Sequence, residues 1–106
     1  MKIKVWNIEE MTGYKPITRI YEDFSIADKF GEKGINSTYK MVMKEWKDNY
    51  KYLTELVMVL NWKIWEHYET DAKLAILYNK LWEEADEYAI NNLKDEELDY
   101  FYKTTD

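Results

Sequence analysis

A chain of 106 residues with no cysteine, three glycines and one proline has no disulfide framework and no thiolate metal site, and it lacks the turn residues of an all-β fold. An apolar fraction of 46% and an aromatic fraction of 17%, carried mainly by ten tyrosines and five tryptophans, exclude a disordered chain and permit one compact core. The net charge of −6 is unevenly spread: residues 1–65 hold 11 Lys/Arg against 9 Asp/Glu, and residues 66–106 hold 4 against 12, an asymmetry that concerns partners and solubility and not fold.

In chain order, Lys2 to Trp6 alternates basic and apolar residues and reads as a short strand or ordered arm. Gly13 and Pro16 mark a turn, after which Ile17 to Tyr21 is expected to pair back as a small ribbon. Helical signals begin near Asp23 to Ser25. Ile26, Ala27 and Phe30 form a short turn ended by Gly31, and Asn36 or Ser37 is expected to cap the next helix. Tyr39, Met43, Trp46, Tyr50 and Leu53 then recur at helical spacing, with a break at Asp48-Asn49.

The central helix, Tyr50 to Tyr68, places Leu53, Leu56, Val57, Leu60, Ile64 and Tyr68 on one face and Met58, Val59, Trp62 and Trp65 largely on the other. A helix apolar on two sides is either buried between neighbours or carries an interface. Thr70 or Asp71 caps a following helix over Ala72–Asn91, whose core stripe is Leu74, Leu77, Tyr78, Leu81, Ala85 and Tyr88. Lys94 to Tyr102 reads as a last short helix with Leu98, Phe101 and Tyr102 inward, before a fraying Thr104-Thr105-Asp106. The expected fold is mostly α: a single domain over 1–106, with an N-terminal arm at 1–22 that is non-helical or a short strand, and a compact bundle of four to five helices at 23–103. The first ten residues hold no apolar stretch of signal-peptide length, and Leu56 to Leu60 is too short to span a bilayer. Both observations predict a soluble, cytoplasmic protein with no membrane contact.

The catalytic parts are missing. His67 is the only histidine, and Ile64 stands where a di-iron bundle motif needs a glutamate, so a structural role is expected. Glu83, Glu84, Asp86 and Glu87 crowd one helix without donors converging from elsewhere, as a hard cation requires. No nucleophile–base spacing, phosphate-binding glycine loop or nucleotide fingerprint occurs. No enzyme activity, cofactor or metal is expected; the work left is binding, by a monomer or a homodimer.

Three surfaces present themselves. Glu83, Asp86, Glu87, Asp95, Glu96, Glu97 and Asp99 set carboxylates in rows on two helices, a pattern able to imitate phosphates and enter a basic groove. Met58, Trp62 and Trp65 offer an apolar face with aromatic anchors. Lys40, Lys44, Lys47 and Lys51, stepping by four, three and four, would line one side of a helix through residues 37–51 and track nucleic acid, with Trp46 and Tyr50 near for stacking.

The stretches Asp23-Phe-Ser-Ile-Ala-Asp-Lys-Phe-Gly31, Trp46-Lys-Asp-Asn-Tyr-Lys-Tyr-Leu-Thr-Glu-Leu-Val-Met-Val-Leu-Asn-Trp62 and Leu81-Trp-Glu-Glu-Ala-Asp-Glu-Tyr-Ala89 resemble small proteins carried by phages and mobile elements of Gram-positive gut bacteria. The likeness covers most of the chain and brings no catalytic motif. What it implies is a setting: an inhibitor of host defence, of the anti-CRISPR type, that binds an effector nuclease and blocks its nucleic-acid groove. The alternatives are a nucleic-acid-binding accessory protein using the lysine row, and a helical adaptor.

Overall fold

The computed structural model describes residues 16–105. These form five α-helices and one 3-10 turn with no strand among them: α1 (Pro16–Ala27), the turn Asp28–Phe30, α2 (Gly31–Trp46), α3 (Tyr50–His67), α4 (Ala72–Asn92) and α5 (Glu96–Thr105). The helical bundle is therefore as the sequence predicts. The strand expected over Lys2 to Trp6 lies outside the described residues.

Helix begins earlier than expected. Ile17 to Tyr21 is the first half of α1 and not a ribbon strand, so the arm cannot extend to residue 22. Ile20, Phe24 and Ala27 are buried and Ile17 and Tyr21 pack beside them, a helical period that a five-residue reading misses. A proline suits the first position of a helix, where its missing N–H costs nothing. The second correction concerns α2, which starts at Gly31 and runs through Asn36 and Ser37, so neither is a cap. Gly31, at φ 70, makes the left-handed turn out of the 3-10 segment, and its N–H donates to the carbonyl of Asp28.

The α2–α3 and α3–α4 breaks follow the expected chemistry. The Asn49 side chain accepts from the backbone N–H of Lys51 at 3.0 Å and of Tyr52 at 3.1 Å, and Asp71 accepts from Leu74 at 3.2 Å, each satisfying donors that a helix start leaves open. Trp46 and Tyr52 stack across the first break with centroids 4.7 Å apart. The short turn after α3 folds α4 back along it, and these two helices make the most extensive contact in the molecule. α3 also touches α1, α2 and α5, which makes it the hub.

The core is continuous through all five helices: Phe24, Ile35, Leu53, Leu56, Leu60, Tyr78, Ala85 and Phe101 are among the fully enclosed side chains. Burying each large one contributes about 1.5–3 kcal/mol. Three side chains depart from expectation. Val59, placed on the outer face of α3, is fully buried. Tyr68 and Tyr102, placed inward, are exposed, since each stands at or near a helix end where the neighbouring helix no longer covers it. Thr104 and Thr105 continue α5, half-buried, and Thr105 Oγ1 donates to the Phe101 carbonyl at 2.7 Å.

Gly34 shows how tightly the 3-10 turn sits on α2. A Cβ there would come 2.7 Å from Phe30 Cβ and 3.0 Å from the Ala27 carbonyl oxygen. Within a helix, Gly→Ala ordinarily stabilises by about 1 kcal/mol. Gly34→Ala is expected to do the opposite and lower unfolding free energy by about 1–3 kcal/mol, the cost of overpacking, as read from urea midpoints.

Candidate functional site

Two features stand out: a polar clamp inside the α1–α3–α4 junction, and a tryptophan-lined cleft on the α3–α4 surface.

The clamp centres on Lys63, the one charged side chain that is fully buried among the described residues. Its place on α3 follows from helical spacing, since position 63 falls in angle between the buried positions Leu56 and Val59. A buried ammonium must be paired, and its three N–H donors find three acceptors. Nζ lies 2.7 Å from Asp28 Oδ2 in the 3-10 turn, 2.7 Å from Glu66 Oε2 one turn on, and 3.2 Å from Ser25 Oγ on α1. The Tyr21 and Tyr78 rings flank it with centroids 5.0 and 5.8 Å away.

A second tier holds the carboxylates. Asp28 Oδ2 is also 2.9 Å from His67 Nε2, and Asp28 Oδ1 accepts from the Tyr78 hydroxyl. Glu66 Oε1 accepts from the Tyr21 hydroxyl. The His67 ring stacks on Tyr78 at 5.7 Å and 6°. Burial works against the charge on Lys63, but its hydrogen bonds to Asp28 and Glu66 outweigh that, and its pKa is raised. For Glu66 burial pushes upward, and the bonds from Lys63 and Tyr21 bring the carboxyl below its ordinary value. Burial, then the bond to Asp28, raises Tyr78.

The chemistry open to this arrangement is narrow. A charged, fully bonded ammonium is no nucleophile, because its lone pair is occupied. The donor atoms of Asp28, Glu66 and His67 lie within 4.8 Å of one another, a spacing that suits a cation. Lys63 Nζ already stands between the two carboxylates at bonding distance from both, so the chain supplies that cation itself. His67 thus has a partner, Asp28, and sequence reasoning missed the clamp it belongs to. The signal was Lys63 itself: a lysine in register with the core stripe, three residues before a glutamate.

The cleft forms where α3, α4 and α5 meet. Its volume is about 390 Å³, and Met58, Trp62, Trp82, Asp86 and Thr104 are among its walls. Met58 and Trp62 are one turn apart on α3, as are Trp82 and Asp86 on α4, so two facing helices each contribute an apolar group and a neighbour. Trp62 remains 44% exposed and Trp65, 65% exposed, continues the stripe beyond the cleft, paired with Tyr68 at 5.4 Å. A second depression shares Trp82 and Asp86 and adds Glu83, Glu87 and Ile90. A third shares Trp62 and adds Ile17, Thr18 and Tyr21. Burial alone raises the Asp86 carboxyl, with no described hydrogen bond or charge offsetting it.

The remaining sequence-predicted residues are placed as follows. Asp95, Glu96, Glu97 and Asp99 are exposed around the start of α5, with Asp99 bonded to Lys103 at 3.0 Å. Lys40, Lys44, Lys47 and Lys51 are all exposed, but they do not share a helix. Lys47 follows the end of α2 and Lys51 belongs to α3, because Asn49 caps a new helix between them. Trp46 is buried in the core and cannot stack on a base. The single lysine row with its aromatic partners is therefore not formed.

Asp28→Asn leaves a buried ammonium one carboxylate short and is expected to lower unfolding free energy by about 3–5 kcal/mol. Lys63→Met removes the buried charge and should cost less, because the Glu66 side chain is 37% exposed and can be solvated. Denaturant titration of the two variants gives the order.

The pH dependence has two limbs. The Glu66 contribution is present above its ordinary value of 4.5 and is lost as pH falls through its lower folded value. The Lys63 contribution is present below its ordinary value of 10.5 and is lost as pH rises through its higher folded value. Unfolding midpoints across pH should show both limbs, and Lys63→Met should weaken the acid one.

No protein-family model matches the chain, and comparison with curated proteins and with solved structures gives no significant match.

Proposed function

We propose that this chain is a non-catalytic binding protein that docks a basic partner on the acidic, tryptophan-bearing face of α3 and α4. The observation that carries this reading is the shared cleft. Met58 and Trp62, singled out as an apolar anchor, and Asp86, singled out as part of an acidic surface, line one depression that continues to Glu83 and Glu87. Exposed tryptophans beside carboxylates are what an interface with a positively charged protein calls for: the aromatics supply affinity and the charge speeds and orients the encounter. Among the described residues no helix is long and apolar enough to cross a membrane, so the exposed tryptophans do not belong to a membrane-spanning helix.

The partner class we infer is a nucleic-acid enzyme, blocked as anti-CRISPR inhibitors block their effectors. This rests on the sequence resemblance and on the carboxylates of residues 66–106, where 12 acidic residues face 4 basic ones. Such an inhibitor presents its carboxylates to a groove built for phosphates.

The test is gel filtration of the chain with a panel of purified CRISPR effector nucleases. A stoichiometric complex that weakens with salt is expected, and the combined reversal Glu83→Lys, Glu87→Lys, Glu96→Lys and Glu97→Lys should abolish it. A complex that survives the reversal would end the mimicry reading, and failure to bind any effector would end the inhibitor assignment.

A further inference from the structure

Resting on that docking surface, we infer that the cleft between Trp62, Trp82 and Asp86 is a socket for one arginine side chain of the partner polypeptide. Two indoles and a carboxylate around one cavity are the parts that hold an organic cation: aromatic faces attract it, and the carboxylate neutralises it. Met58 closes the α3 side with an apolar, adaptable wall. Asp86 is half-buried, burial raises its carboxyl, and no described residue compensates it. A cation entering the cleft would offset that cost by pairing with the carboxylate, whereas an apolar side chain would not.

The lining of the site favours guanidinium over ammonium. A guanidinium is planar and weakly hydrated, stacks on an indole face, and can still direct its N–H groups sideways to a carboxylate. An ammonium is more strongly hydrated and gives up more on leaving water. The surroundings favour a polypeptide as the source over a free small molecule. Among the described residues the cleft is not closed on itself: through Trp82 and Asp86 it continues to Glu83, Glu87 and Ile90, and Trp62 belongs also to the depression at Ile17, Thr18 and Tyr21. A chain carrying the arginine therefore has a path out on both sides, acidic on one and apolar on the other.

The experiment follows the tryptophan indole N–H signals of the ¹⁵N-labelled full chain by NMR, with Trp62 and Trp82 assigned by phenylalanine replacement. Three blocked pentapeptides, Gly-Gly-Xaa-Gly-Gly with arginine, lysine or citrulline at the centre, and free agmatine are titrated in turn. The arginine peptide should shift both indoles saturably, with a Kd on the order of millimolar for a single anchoring side chain. The lysine peptide should bind several-fold more weakly. The neutral citrulline peptide should bind about tenfold more weakly or not at all, a factor corresponding to loss of one charge-assisted contact. Asp86→Asn should weaken the arginine peptide by a similar factor while Glu32→Gln, at an exposed carboxylate away from the cleft, leaves it within about twofold. Trp62→Ala, a change at an exposed position, should remove binding without unfolding the chain.

No saturable shift at either indole, or equal binding of the citrulline peptide, overturns the socket. Agmatine binding more tightly than the peptide overturns the assignment to a polypeptide. If the peptides fail but a nuclease complex forms and is lost on charge reversal, the socket is wrong and the docking face stands. If the arginine peptide binds but no nuclease does, the socket stands and the choice of partner is wrong.

Discussion

The arrangement of this bundle depends on the burial of one ammonium group. An unpaired charge at position 63 would cost several kcal/mol, an appreciable fraction of the whole stability of a domain this size. The fold meets that cost by bringing Asp28 to Lys63 across 35 residues of sequence, with Glu66 added from the next turn of the same helix. Asp28 can reach only because α1 gives way to a 3-10 turn, and that turn can lead into α2 only because Gly31 takes a positive φ. The close seat of Gly34 on Phe30 and Ala27 is a further consequence of fixing the turn there. One electrostatic requirement thus sets where α1 ends, where α2 starts and how both lie on α3.

The clamp gains stability only in part. Replacing such pairs by apolar groups is often neutral or better, and in some proteins what they give is a single, well-defined arrangement. Without the clamp, the α1–α3 contact would rest on the non-directional packing of Ile20, Phe24 and Ala27. Apolar stripes of this kind tolerate sliding, whereas an ammonium with three acceptors does not.

The sequence displayed those features whose cause is local. The stripes of α3 and α4 are long enough for their period to be unambiguous, and Asn49 and Asp71 are caps of ordinary chemistry, so the elements from Asn49 to Asn92 were legible nearly to the residue. What was not legible has a cause distant in sequence. Ile17 to Tyr21 is too short for its period to be told from a strand's until Phe24 and Ala27 are counted with it. Lys63 looks like any surface lysine until its angle is compared with Leu56 and Val59. Tyr68 and Tyr102 fit an apolar stripe by spacing, yet their exposure depends on where the neighbouring helices end. The cleft was half-legible: its α3 wall, Met58 and Trp62, and its acid, Asp86, were both singled out, but as members of separate surfaces. Nothing in spacing alone says that Trp82 lines the same cavity as Trp62.

Tyr21 belongs to the clamp and packs on Trp62, a wall of the cleft, and this contact makes the buried charge relevant to the surface. The Tyr21 hydroxyl donates to Glu66, the outer carboxylate of the clamp, and the edge of its ring meets Trp62 with centroids 6.3 Å apart at 67°. Trp62 is 44% exposed and would otherwise be free to change rotamer. A binding wall that must be ordered on contact lowers affinity by the entropy of ordering it, about 0.5–1.5 kcal/mol for one side chain. With Tyr21 tied to Glu66, and Glu66 to Lys63, the indole has a fixed neighbour on one side before any partner arrives. The charge hidden at the centre of the bundle therefore acts at its surface by preparing the aromatic wall of the cleft that Trp62, Trp82 and Asp86 line.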